Sequence, residues 1–210
     1  MNHKVNSVAN LYETATALHK NVVDGANGSA TTVIQNLREG IEVLKANWEG
    51  TDAGVQINNV VNVCNAFAAI KNVLDALAVE ASKIAVNYRA IQKANGANYL
   101  EDLAPIREYE AEGVLPEYTD TRDTISIQPA AESGMRKLEA ALNDMPGFML
   151  NIKKEADALL ENWTSGAKRE EFKQTLEDFY AHNEEYKQML EETVESVKTA
   201  LRNYSNMGNI

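Results

Sequence analysis

The sequence predicts an all-α protein, two long antiparallel helical hairpins packed as a four-helix bundle and joined by an acidic crossover linker. Three observations carry that expectation. Helix breakers are sparse, four prolines and eleven glycines in 210 residues, against many straight-chain helix formers. Apolar residues recur at spacings of three and four over long stretches of both halves. The only two tryptophans share one neighbourhood, "NWEG" at residues 47–50 and "NWTSG" at 162–166, each set between helix-forming runs.

In the N-terminal half, Val5, Val8, Tyr12, Ala15 and Val22 begin an apolar stripe, "DGANGS" at 24–29 interrupts it, and Val33, Leu37, Ile41, Leu44 and Trp48 complete it. The turn "WEGTD" follows. From Ile57 through Val60, Val61, Cys64, Phe67, Leu74, Leu77, Ala81, Ile84 and Tyr88 to Ile91, a second helix with a broad apolar face is expected, reaching about Lys93. Residues 1–93 read as the first hairpin.

In the C-terminal half, Met135, Leu138, Leu142, Met145, Met149, Ile152, Ala156, Leu159 and Trp163 follow one another at alternating spacings of three and four. That is the seam of a helix packed along its length. Pro129 suits its first turn, where a missing N–H costs nothing, and Pro146-Gly147 predicts a kink or short break without a change of phase. The stripe resumes at Phe172, Leu176, Phe179, Asn183, Tyr186 and Leu190, then at Val194, Val197, Leu201 and Tyr204. A last helix is expected from about Gly166 to Tyr204, roughly 57 Å of rod at the α-helical rise. Thr164 and Ser165 would cap it, and Glu170 and Glu171 suit its positive end. Residues 125–206 read as the second hairpin, with 207–210 a tail; helices joined by so short a turn must be antiparallel neighbours.

Superposing the tryptophans gives an offset of 115 residues that also brings Leu44 onto Leu159 and Asn47 onto Asn162, while the glycines miss by one position. Each hairpin has one wide apolar side that it cannot bury alone, and packing one on the other is the economical solution. Residues 94–124, with two prolines and eight acids against two bases, read as the crossover linker, with a short helical piece around Tyr99 to Tyr109. A disordered acidic interaction segment is the rival reading of that stretch.

Charge and chemistry bound the function. The formal charge is -11, and residues 1–95 are balanced at eight acids and eight bases, so no basic footprint for nucleic acid exists. Cys64, the single cysteine, lies in "VVNVCNAFAAI" and reads as a buried core thiol. No apolar run matches a cleavable signal or a stable membrane span, so the chain is expected to be made in the cytoplasm without a cleavable signal peptide. His3, His19 and His182 are scattered, and His182 with Glu184 and Glu185 reads as a solvated group rather than a ligand set. No phosphate loop, nucleophile elbow or Glu-x-x-His pair occurs. The reading is non-enzymatic, with no cofactor and no metal.

The two Trp-centred turns resemble those of the WXG family of early-secreted-antigen-like proteins, helical hairpins of about one hundred residues that are substrates and partners of type VII secretion systems. Trp48 and Gly50 match the Trp-x-Gly pattern directly; Trp163 and Gly166 depart from it by one inserted residue. "ISIQPAAESGMRKLEAAL" is similar to the first-helix opening of such proteins. Members pair as dimers forming antiparallel four-helix bundles, so the resemblance implies a dimer fused into one chain. The family's export signal, Tyr-x-x-x-Asp/Glu, has its spacing at Tyr180 and Glu184, inside the expected last helix; Tyr88 has Gln92 and Tyr204 has Gly208 where the acid belongs.

The resemblance implies a type VII secretion-associated protein, a secreted substrate or a targeting partner for a larger effector. It would act by helix-face binding to another helical protein or effector and to the secretion ATPase, as a monomer with an intramolecular bundle or a homodimer. Exported, it would be secreted or held at the cell surface. A structural assembly module and a membrane-active helical protein are the alternatives. Each tryptophan reads as a plug of the turn end of the core, with a recognition role open to one of them.

Overall fold

A computed structural model describes residues 4–24, 28–122 and 125–207. Helix dominates. In chain order the elements are β1 (Lys4–Val5), α1 (Val8–Leu18) continued by one π turn (His19–Val23), α2 (Ser29–Asn47), β2 (Trp48–Glu49), α3 (Thr51–Ala94), β3 (Ser126–Ile127), α4 (Ala131–Asn162), β4 (Trp163–Ser165), α5 (Ala167–Ala181) and α6 (Asn183–Met207). The chain forms two compact units. The first comprises Met1–Thr31, Ile70–Glu112 and Gly147–Tyr180; the second comprises Thr32–Ala69, Gly113–Pro146 and Ala181–Ile210.

In the first unit, α1 starts at Ser7, whose hydroxyl accepts the Asn10 N–H as an N-cap. Its buried row is Leu11, Ala15, Leu18 and Val22; Ala15 and Val22 are buried as expected, while Leu11 takes the place expected for Tyr12. Tyr12 lies half-exposed and donates its hydroxyl to the Ala104 carbonyl, so the polar end of the phenol decided its side of the helix. The interruption at 24–29 is present at its described ends: Asp24 closes the π turn and its carbonyl accepts from Gly28 and Thr31, while residues 25–27 lie outside the described residues. The C-terminal half of α4 buries Phe148, Ile152, Ala156 and Leu159, and α5 buries Leu176 and Phe179, whose ring meets Phe148 edge-on at 6.1 Å.

In the second unit, Val33, Leu37, Ile41 and Leu44 of α2 are fully buried as their spacing predicts, and each such side chain contributes about 1.5–3 kcal/mol of burial. Ile57, Val60, Val61, Cys64 and Phe67 of α3 share that core, and Phe67 meets Tyr186 edge-on at 6.2 Å. The first half of α4 buries Leu138, Ala141 and Met145. Ala141 replaces the expected Leu142, as Phe148 replaces Met149 in the other unit; both displaced residues are half-buried at the edge of the stripe.

Three expectations are corrected. The helix over Gly166 to Tyr204 is two helices, α5 and α6, parted at His182, next to Asn183, the one polar residue in the expected apolar stripe. Of the kink or short break expected at Pro146-Gly147, the break is absent: Pro146 sits inside a continuous α4. Residues 101–122 contain no helical piece; they run as irregular chain without regular secondary structure. Among the described residues α3 alone is long and apolar enough, by length and composition, to cross a membrane, and most of its apolar window is buried.

Candidate interaction site at the Trp48 turn

The α2 stripe delivers Trp48 to the end of its helix. Asn47 caps that end, donating its side-chain amide to the Val43 carbonyl at 2.8 Å. The chain then leaves the helix as β2, which pairs antiparallel with β3: Trp48 lies opposite Ile127 and Glu49 opposite Ser126. Gln128 extends the ladder by donating to the Asn47 carbonyl. Gly50 reverses the chain at φ 117, a conformation that L side chains rarely adopt, and α3 begins at the next residue.

The N-terminal end of α3 is capped from the linker. The Gly50 N–H donates at 3.0 Å to the Asp120 carboxylate, which is buried and gripped by Arg122 through Nε at 2.8 Å and a terminal nitrogen at 2.7 Å. Arg122 also reaches Glu49 at 2.5 Å. The Arg122 guanidinium, and after it the Gly50 N–H, hold the Asp120 carboxyl well below the usual carboxylate range. A Cβ on Gly54 would stand 3.1 Å from the Asp120 nitrogen, so that glycine permits the close approach.

Beside the turn opens a groove of about 580 Å³ within this unit, between residues 48–53, β3 and the last turns of α6. Trp48, 2% exposed, forms its floor with Ala53 and Ile127. Ile125, 83% exposed, and Tyr204 line its mouth, and Glu49, Asp52 and Glu195 line it with carboxylates. An apolar floor with acidic walls suits an apolar anchor flanked by bases.

Trp163 and Gly166 belong to the other unit and repeat the design. Asn162 donates to the Ala158 carbonyl, as Asn47 does to Val43. β4 pairs antiparallel with β1, Val5 lying opposite Trp163 and Lys4 opposite Ser165. Asn6 donates to the Asn162 carbonyl, the counterpart of Gln128 on Asn47. The inserted residue is absorbed as a β-bulge at Thr164, and Gly166 still arrives at positive φ, 143. Thr164 therefore does not cap the next helix: its hydroxyl donates to the Lys4 carbonyl. Trp163 is fully buried, its indole N–H on the Ser165 carbonyl and its ring 6.3 Å from Phe172. Arg169 closes this turn, its guanidinium on the Leu160 and Trp163 carbonyls at the end of α4.

Tyr180 lies in the last turn of α5, with burial and then Asp157 pushing its phenol up, and Glu184 lies exposed in the first turn of α6; the break at His182 falls between them, so they are not successive turns of one helix. His182 is exposed and stacks on Tyr186. Among the described residues no group of three or more His, Cys, Asp or Glu could hold a metal ion. Asp120, Arg122 and Arg169 are the working residues that sequence reasoning missed. The available signal was a lone Asp-x-Arg at the far end of the linker.

No protein-family model, no curated protein and no solved structure matches this chain.

Proposed function

We propose that the chain is a tandem WXG-like protein, two helical hairpins fused in one polypeptide and packed as a four-helix bundle, acting non-enzymatically in a type VII secretion pathway. The supporting observation is the repetition of one turn design at Trp48 and Trp163. In both, an Asn back-bonds to its own helix, the Trp is buried and begins a strand that pairs antiparallel with another short strand, and the next helix follows a glycine at positive φ. The chain serves as a secreted substrate or as a targeting partner for a larger effector.

The two turns divide the work. Trp163 is sealed by Phe172 and Arg169, whereas Trp48 floors an open groove with acidic walls, so the Trp48 turn is the partner-binding end. Its partner presents an apolar side chain beside basic residues, on a helical effector or on the secretion ATPase. The test is binding of the purified chain to the soluble domains of the ATPase encoded in its own host. Tyr204→Glu, at the mouth of the groove, is expected to weaken binding about tenfold, the cost of one lost anchor contact, with the helical circular dichroism unchanged. Equal binding by wild type and Tyr204→Glu removes the groove from the account.

A further inference from the structure

In the first unit, α3 carries a row of polar side chains that grips the linker by its main chain. Ser82 Oγ accepts the Ile106 N–H at 2.9 Å, an Asp75 oxygen accepts the Tyr109 N–H at 2.8 Å, and Arg89 donates to the Glu101 carbonyl at 2.7 Å. Asn72 takes both groups of one residue, accepting the Glu112 N–H and donating to the Glu112 carbonyl. From Asp75 to Ser82 is seven residues of helix, about 10.5 Å of rise. From Tyr109 to Ile106 is three residues, about 10 Å of extended chain. Over that step the two rises match, so two turns of α3 meet three residues of extended polypeptide running the opposite way; from Asp75 to Asn72 three residues of helix meet three of linker, and from Ser82 to Arg89 seven meet five.

Such a ladder reads the backbone and is indifferent to most side chains, and Arg107, Glu108, Glu110 and Ala111 are exposed. Apart from the Tyr109 ring on His19, the side chains it does read are acids. Lys71, only 4% exposed, pairs with Glu112 at 2.6 Å, and Lys93 pairs with Asp102 at 2.6 Å. Asp75 is the one carboxylate on the track, and it faces His19 at 3.1 Å, whose ring stacks on Tyr109. The segment is held by hydrogen bonds and two ion pairs rather than by deep apolar burial, which places it at the low end of local stability.

We propose that this face of α3, Lys71 to Lys93, is a docking track for an extended acidic segment of a partner protein, and that residues 101–112 occupy it as a tethered stand-in. Charge complementarity selects the acidic partner; the backbone ladder fixes its extended form. Because the tether keeps the stand-in at high effective concentration, a partner segment enters when that segment is released.

Fluorescence anisotropy with a labelled peptide of residues 98–112 tests this. The full chain with Asp102→Lys and Glu112→Lys, which loosens the tethered segment and leaves the track intact, is expected to bind the peptide about tenfold more tightly than wild type, whose own segment competes. N-methylation of the peptide at the Glu112 nitrogen removes a donor to Asn72 and weakens binding about fivefold to tenfold. A double variant that keeps its helical spectrum and cooperative melting yet fails to bind, or that ignores N-methylation, overturns the proposal. Native-state hydrogen exchange on the unmodified chain tests it independently of any variant: the Ile106, Tyr109 and Glu112 amides must exchange by local opening, well ahead of Leu74 and Leu77. Exchange of all five only through global unfolding means the segment is not displaceable and the track is purely structural. Trans binding that is matched by dimer formation in size-exclusion chromatography, without peptide specificity, assigns the exchange to a second copy and contradicts a foreign partner.

Discussion

Asp120 caps α3 from seventy residues away, its carboxylate accepting the Gly50 N–H at 3.0 Å while Arg122 neutralises it. An anion at a helix N-terminus is favoured by the orphan N–H groups and the dipole there, and here the anion is delivered by the linker. The Trp48 turn and the linker end therefore form one structure.

That contact has a pH signature. Asp120 has its folded pKa depressed by Arg122 and Gly50, so its contribution is present above the ordinary carboxylate pKa of about 3.9 and is lost as pH falls through the lower folded value. Asp120→Asn is expected to lower Tm at pH 7 and to converge on wild type as pH is taken from about 4 towards 2. A Tm difference independent of pH over that range would show that the carboxylate's charge is not what holds the turn.

Trp163 fills sealed core, so Trp163→Ala should lower stability by about 3–5 kcal/mol in urea unfolding. Trp48, though 2% exposed, lines a groove as well as the core. Trp48→Ala should cost less, about 2–4 kcal/mol, because truncation there enlarges a groove rather than creating a closed void. The reverse order contradicts the division of roles between the turns.

The glycines at the two turns share a requirement. Gly50 and Gly166 sit at φ 117 and 143, so Gly50→Ala and Gly166→Ala should each cost about 1–3 kcal/mol, while the D-alanine analogue at either position, introduced by chemical ligation, restores most of it. Loss without rescue by D-alanine would point to steric crowding in place of backbone strain.

In the second unit Asn65 holds both main-chain groups of Leu115, and Asn58 accepts the Tyr118 N–H, again seven residues of helix against three of linker. Asn65→Leu removes both bonds and should destabilise by about 1–2 kcal/mol, with Asn65→Gln failing to rescue because its amide is one methylene too far out. Full rescue by Gln would mean the site tolerates a looser contact than the bidentate geometry implies.

Much of this was legible in the chain. The stripe from Val33 to Trp48 and the face from Ile57 to Ile84 are buried as their spacing predicts, because large aliphatic residues leave one way to turn the helix. Legibility failed where a residue had two sides to offer: Tyr12 gave its place to Leu11 to keep its hydroxyl bonded, and Ala141 displaced Leu142 because a small side chain carries little pattern. The linker was the least readable. Asn58, Asn65 and Asn72 stand seven apart in plain view, yet their partners lie 40 to 60 residues on and are backbone groups, which leave no mark in a sequence. The glycine mismatch between the turns was visible; that a bulge at Thr164 absorbs it was not, since bulges are set by the partner strand.

The most direct measurement is the amount of this chain outside the cell in its host with and without the type VII secretion ATPase, the cytoplasmic amount being followed in parallel. A tandem WXG-like substrate or co-exported partner predicts that the extracellular chain disappears and the cytoplasmic chain accumulates in the deletion. An unchanged extracellular amount contradicts the export reading.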